Sequence, residues 1–546
     1  MLNRIKDILK IKNIDLLLIS FVSLVFSFWL MFSTFSYQDG RMEIATKAWS
    51  DFSGDIPLIR SFSFGNNFPP QYPLFSGPLM QFHFLFYVLV GFLEKIGMQI
   101  NYALNIPSVL GFCFLMIMIY LFSKRLFLSK TVGVLSLVFF LFNGSLSFLN
   151  FLRQHPLSNN FISEILNNKS FPSFGPYDQS IVSAFWNLNI YTNQRHLGLS
   201  FALSLFIIYV VYFNLPKLQK KTKISLILGL ILGASYLLNI AVFLMTVSVL
   251  ACFILLKIER KNVFILLSIA FIIFFPQYLY FQGENSGFKL LFAPGYLINN
   301  NLNLMNFLKY WFMNLGFHPV LFLFGFLIAP KKVRLLFISF LSLFLIGNLF
   351  QFSPEMAANH KFFNLFMIVG VMFSAYALYS IWRKGSLFRL ITIVFIFLLI
   401  FSGIIDFFPV LNDTKIVLAD YKDNPDILWI MKNTKPNSVF LNTQYLYDNA
   451  SLAGREIFFG WPYFAWSSGY NTNERGKMRD QLLTTANKSY ACALLRRNKI
   501  NYIEVNPLNS DKNIPEVSNM YLKTFVPVYK DGVTGYEILD VENNCQ

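Results

Sequence analysis

The chain has 546 residues, 55% of them hydrophobic and only 13% charged, with a mean hydropathy of +0.51. A soluble globular chain carries about 25% charge, so most of this sequence is excluded from that class. The formal net charge of +17 does not point to nucleic acid, because the basic residues fall in short links between apolar segments, as the positive-inside rule requires.

The first apolar segment, residues 14–35, follows a basic start with Arg4, Lys6, Lys10 and Lys12. It is long enough to cross a bilayer and no small-residue cleavage site follows it. It therefore reads as a retained signal anchor with a cytoplasmic N-terminus. A polar stretch then leads to residues 79–97, which are apolar but contain His83, Glu94 and Lys95. If 79–97 crosses the membrane, all five later basic links fall outside; they carry Lys124 to Lys130, Lys217 to Lys223, Lys257 to Lys261, Lys331 to Arg334 and Arg383 to Arg389. If it lies on or dips into the outer surface, all five fall inside, and that reading is adopted.

The spans then fall at 14–35, 102–123, 131–150, 196–214, 224–239, 240–256, 262–281, 308–329, 335–352, 362–382 and 390–408, about eleven in all, with a tight turn near Asn239. An odd number leaves the C-terminus outside. The outer loops are 36–101, 151–195, 282–307 and 353–361. The expected fold is a polytopic α-helical protein of the cytoplasmic membrane. Its transmembrane domain covers 1–408, and a C-terminal extracytoplasmic α/β domain covers 409–546.

Within that last domain, 424–433, 474–488 and 490–499 read as helices, and 438–442 and 501–505 as strands. Residues 524–529 and 536–540 flank the turn signal Lys530-Asp531-Gly532 and read as a hairpin. No Gly-rich phosphate loop is present. Cys492 and Cys545 both fall outside, where a bridge would tie down the tail; with no spacing motif, two free thiols remain the alternative. No Cys/His spacing points to zinc.

The chemistry should lie on the outer side. Asp39 follows the first span within Tyr37-Gln38-Asp39-Gly40-Arg41, with Glu43 one helical turn on. A carboxylate at the bilayer surface is partly desolvated, which raises its pKa and suits a general base; Asp-Gly equally reads as a turn or a helix cap. The stretch Phe68-Pro69-Pro70-Gln71-Tyr72-Pro73 is rigid and extended, a binding surface or a re-entry turn. The second outer loop holds Asp178, a second acid or a solvated loop residue, and ends in Gln194-Arg195-His196. Arg195 and His196 can clamp an anionic head group in a forked geometry or simply anchor the helix end. His360 and Lys361 open another span on the outer side, against the charge trend, which points to a phosphate partner or to snorkelling. Two acids and two cationic pairs at one depth match what transfer from a lipid phosphate needs: a base for the acceptor hydroxyl and cations for the departing phosphate.

The order of elements over residues 1–150 resembles the GT-C superfamily of membrane glycosyltransferases, which includes protein O-mannosyltransferases and the aminoarabinose transferases of lipid A. That order is a first span, an acid just after it, a long outer loop with Pro-Pro-x-Tyr, a surface helix, and a span ending Tyr120-Leu-Phe-Ser-Lys-Arg-Leu-Phe127. The segments Thr192-Asn-Gln-Arg-His-Leu-Gly198 and Asn359-His-Lys-Phe-Phe363, Gly454-Arg455, Gly460-Trp461 and the tail from Phe525 to Val541 are similar to stretches of uncharacterised prokaryotic members. The resemblance implies transfer of a hexose or pentose, with inversion, from a polyprenyl-phosphate donor to a glycan, lipid or protein acceptor. It implies that Asp39 is the first-loop acid, that Glu43 shares its role and that Asp178 is the second-loop acid. Some relatives need a divalent metal and others do not, so a metal stays open. The alternatives are a transporter or flippase of lipid-linked or small solutes, and a non-catalytic membrane scaffold. A transporter tends to show repeated halves and mid-membrane charges; no convincing repeat is visible and charges within the spans are nearly absent.

Overall fold

A computed structural model describes residues 14–173, 181–281, 290–298, 301–507 and 511–546. The chain divides into two compact units. One comprises Met1–Ser33, Asn105–Phe275 and Leu290–Thr414; the other comprises Thr34–Leu104, Pro276–Lys289 and Lys415–Gln546.

The first unit is helical. Seven helices with bounds in or overlapping it are long and apolar enough to cross a membrane: Ile14–Thr34, Ile100–Phe127, Arg195–Lys217, Arg260–Phe281, Lys331–Leu349, Met356–Trp382 and Ser386–Leu411. An eighth results if Leu304–Leu315 and His318–Ile328, bent by 91°, count as one broken span. These helices give the protein a membrane location. Other expected spans form shorter helices. Residues 131–150 yield only Lys130–Leu141, 12 residues, or about 18 Å at 1.5 Å per residue, against a hydrocarbon core of about 30 Å. The chain leaves the helix at Phe142 because polar residues follow. Asn143 Nδ2 donates to Asp406 Oδ2 at 3.0 Å, and the Ser402 hydroxyl donates to Ser145 O at 2.5 Å. The turn expected near Asn239 is present: Lys221–Ala234 ends before it, and the Asn239 side chain caps Ile240–Leu255 by accepting from Val242 N. The helix Met356–Trp382 packs against His318–Ile328, Lys130–Leu141 and Lys331–Leu349. Many of the phenylalanines fill these seams, as where the Phe363 ring lies 4.5 Å from Trp311 and 4.6 Å from Tyr296.

The second unit joins the long segment after the first span to the C-terminal segment. Strands β1 (Phe35–Gln38), β2 (Arg41–Ala45) and β3 (Lys415–Ala419) form an antiparallel sheet in the order β1-β2-β3. The expected helical turn from Asp39 to Glu43 is absent. Asp39-Gly40 is instead the two-residue turn of a hairpin, with φ of +50° and +82°, the combination that a twisted two-residue turn demands. Helix Trp49–Ser63 follows, and then Leu85–Lys95. With 11 residues, Leu85–Lys95 rises about 16 Å, too short to cross. It buries Phe86, Tyr87, Val90, Gly91 and Glu94 while exposing Leu85, Leu89 and Phe92.

A second sheet holds β4 (Val439–Leu441), β5 (Glu456–Ile457), β6 (Tyr502–Val505), β7 (Pro527–Lys530) and β8 (Glu537–Asp540) in the order β5-β4-β6-β8-β7. β4 runs parallel to β5 and β6, and β8 antiparallel to β6 and β7. The expected helices appear as Pro425–Asn433, Thr472–Thr484 and Lys488–Arg497, and β7–β8 is the expected hairpin. Cys492 and Cys545 are bridged, with their Cα atoms 5.4 Å apart. The aromatic residues of 458–466 meet the Pro-rich stretch of the first loop. Arg475 stacks between Phe75 and Phe458 at 4.2 and 4.5 Å, and Tyr470 lies flat against Tyr72 and Phe75.

Gly454-Arg455 clasps this unit together. The buried Arg455 guanidinium donates to Phe64 O, Ala453 O, Met431 O and Thr434 O at 3.0 to 3.1 Å, satisfying the carbonyls at the end of Pro425–Asn433. Gly454 has φ +78°, and a Cβ there would lie 2.5 Å from Arg60 O. Gly454→Ala should lower stability by at least about 2 kcal/mol, combining left-handed strain with displaced backbone. Gly77→Ala is the control, since Gly77 also has positive φ but nothing within 4 Å. Thermal unfolding should show the larger loss at Gly454; equal losses would leave φ as the sole cause.

Candidate functional site

Within the membrane unit, two helices begin side by side with basic residues. Arg195 and His196 open Arg195–Tyr209, and His360 and Lys361 open His360–Trp382. Gln194, just before the first helix, places its Nε2 3.4 Å from His360 Nε2. The Lys361 ammonium acts electrostatically on both imidazoles. His196, His360 and Lys361 thus lie near one another at two helix N-termini, whose dipoles favour an anion, while Arg195 bonds to Asn105 and Met31.

Their local partners differ. Arg195 is only 1% exposed; its guanidinium donates to Asn105 Oδ1 at 3.3 Å and Met31 O at 3.4 Å. The His360 ring stacks on Phe185 at 4.5 Å. Asn364, one turn on, donates to Phe185 O at 3.0 Å and interacts with the His360 ring through its amide. Stacking on Phe185 and the approach of Gln194 to Nε2 fix the orientation of the imidazole. Lys361 is half-buried.

Asp39 and Glu43 belong to the second unit. Asp39 is exposed at the hairpin tip, not partly enclosed as expected from its position after the first span. Glu43 sits on β2 opposite Ser36, whose hydroxyl donates to Glu43 Oε2 at 2.7 Å, and Lys415 Nζ lies 3.5 Å away. Glu43 is therefore engaged in holding β1, β2 and β3 together. Asp178 lies outside the described residues.

Two further acids, Asp51 and Asp55, were not singled out by the sequence argument. They lie one turn apart on Trp49–Ser63, both half-buried. Tyr87 is hydrogen-bonded to Asp55, and burial, reinforced by both carboxylates, pushes its phenol well above the ordinary range. Burial raises the phenols of Tyr72 and Tyr447 too, reinforced by Tyr470 and then Asp55 at Tyr72, and by Asp55 and then Asp51 at Tyr447. The signal was the Asp-x-x-x-Asp spacing just upstream of the Pro-Pro-x-Tyr stretch. Among the described residues, no group of three or more His, Cys, Asp and Glu is arranged to hold a metal ion.

No protein-family model matches the chain, and no curated protein matches its sequence. Solved structures do. The arabinofuranosyltransferase AftD from Mycobacteria superposes with a TM-score of 0.53 at 10% identity, over 96% of this chain and 40% of AftD. The apo oligosaccharyltransferase of Archaeoglobus fulgidus superposes with a TM-score of 0.50 at 12% identity, over 91% of this chain and 70% of that one. ArnT from Cupriavidus metallidurans, in its structure bound to undecaprenyl phosphate, gives 0.48 at 10% identity, over 96% and 97%. At these identities the likeness is one of fold. The chain has the GT-C fold of membrane glycosyltransferases.

Proposed function

We propose that this protein transfers a sugar from a polyprenyl-phosphate donor to an acceptor on the outer face of the membrane. The observation that supports the reading is that Arg195-His196 and His360-Lys361 each open a helix of a GT-C fold, with Gln194 beside His360. In this reading Arg195 and Lys361 neutralise the donor phosphate as its bond to the sugar breaks. His196 and His360 supply further hydrogen bonds. A first-loop carboxylate removes the proton from the acceptor hydroxyl, which attacks the sugar from the face opposite the phosphate and inverts its configuration. Asp39 is assigned that role, with Glu43 holding its hairpin and Asp178 as a second acid. The C-terminal segment lies outside the membrane with the first loop.

The test is mass spectrometry of lipids that co-purify with the full chain in mild detergent. A polyprenyl phosphate or its glycosylated form is expected, depleted several-fold in Arg195→Lys, which loses the forked geometry, and in Lys361→Gln. Bulk phospholipid alone, unchanged by either substitution, would remove the donor assignment and favour a transporter or scaffold.

A further inference from the structure

The second unit carries a row of aromatic rings that reaches solvent. Helix Pro462–Ser467 buries only Ala465. Trp466 is 41% exposed, and Tyr463 and Phe464 are half-buried. The Tyr463 ring lies between its neighbours, 6.0 Å from Phe464 and 5.9 Å from Trp466. Large apolar side chains left in contact with water over a continuous patch mark a binding surface more often than scattered single ones do.

This row is seated on helix Trp49–Ser63. A Cβ at Gly54 would lie 3.4 Å from two carbons of the Phe464 ring, so glycine lets that ring come down close over the helix. Asp51 stands three residues before Gly54 and Asp55 directly after it, one turn apart and both half-buried. Phe464 thus joins the exposed rings to the part of the helix that carries both acids. Trp49, the first residue of the same helix, is half-buried, and its ring lies 4.1 Å from Tyr447.

The two kinds of group together narrow the ligand. Aromatic faces hold a ligand's C–H surface by dispersion and shed water as they do so. A carboxylate only accepts hydrogen bonds, at about four positions, so it keeps room for donors on a ligand even when one position is in use. The bilayer fits poorly, because carboxylates are costly in an apolar medium and anionic head groups repel them. Carbohydrate rings offer both features at once, C–H faces and hydroxyl donors.

We propose that Tyr463, Phe464 and Trp466, with Asp51 and Asp55, bind an oligosaccharide without acidic groups, which serves as the acceptor of the transfer. The acceptor role rests on the function proposed above; the binding does not. Sugar rings lie against the exposed aromatic faces, and their hydroxyls donate to the two carboxylates. A uronic acid would bring its charge against Asp51 and Asp55 and is refused.

Saturation-transfer difference NMR on the full chain in nanodiscs, without donor lipid, tests this. The probes are tetra- to hexasaccharides of mannose, glucose, galactose and arabinose, an oligogalacturonate and a short apolar peptide. At least one of the non-acidic sugars should bind and the oligogalacturonate should not. Trp466→Ala, at an exposed position that the fold tolerates, should weaken that binding at least about tenfold, as loss of an aromatic anchor does. Asp51→Asn should weaken it several-fold. Absence of binding by every non-acidic sugar, or binding indifferent to both substitutions, would overturn the proposal. So would the peptide binding in place of the sugars and being lost in Trp466→Ala, which would make the face a protein-docking surface. A polyprenyl phosphate that co-purifies while no sugar binds would remove this surface and leave the transfer reading standing. Sugars that bind to a chain holding only bulk phospholipid would keep the surface and remove the donor.

Discussion

Asp39→Asn is expected to fold like the parent and to lose transfer by about 10²- to 10⁴-fold, the range for removal of a general base. The two halves of that expectation have separate causes. Asparagine is among the few residues that tolerate a left-handed backbone, and Asn-Gly is a preferred sequence for a two-residue hairpin turn. Asp39 holds φ +50° and is exposed, so the turn, β1–β2 pairing and thermal midpoint should all persist. What disappears is the proton-accepting carboxylate. Turnover of a polyprenyl-phosphate sugar and the unfolding midpoint are the two measurements. Undiminished turnover would remove Asp39 from the mechanism and leave Asp51 and Asp55 as the first-loop acids. Asp55→Asn is the informative next variant, because the amide oxygen can still accept the Tyr87 hydrogen bond.

The features readable in advance were those fixed by local chemistry. Asn239 between two apolar runs marked a turn, and Lys530-Asp531-Gly532 between β-prone runs marked the β7–β8 hairpin; both are where they were expected. Arg195-His196 and His360-Lys361 stood out in the sequence as charge at the ends of apolar runs, and both pairs open helices. Features that depend on distant partners were not legible. The helix from Lys130 stops at Leu141 because Asn143 and Ser145 are claimed by Asp406 and Ser402, more than 250 positions later. Residues 41–45 became a strand because β3, from the other end of the chain, pairs with them, and tertiary pairing overrode the helical reading of Asp39 to Glu43. Asp51 and Asp55 were visible as a spacing, but only the tyrosines packed around them distinguish the pair from a solvated helix face.

Arg60→Met should unfold the second unit or bring it close to unfolding, at a cost of about 3 to 5 kcal/mol. Arg60 is fully buried between two acids: its Nη2 lies 2.8 Å from Asp420 Oδ2 and its Nε 3.0 Å from Glu94 Oε1. Tyr37 also donates to Asp420, and Ser63 to Glu94. One cation therefore serves two carboxylates, and burial pushes Glu94 up in spite of Arg60. Removing the guanidinium strands both acids away from water, and that stranding, more than the lost attraction, is the source of the cost. The triple variant Arg60→Met, Glu94→Gln, Asp420→Asn should then recover most of the loss, because the hydroxyls of Tyr37 and Ser63 keep acceptors and no charge is left buried. Arg60 joins β1, the first-loop helices and the segment after β3, so its loss should expose residues 35–45 and 415–420 together in limited proteolysis. Cleavage confined to one of those segments would mean that they fold independently. A triple variant no more stable than Arg60→Met would mean that the guanidinium's own contacts, to Leu452 O and over the Phe64 ring at 4.6 Å, carry the stability instead.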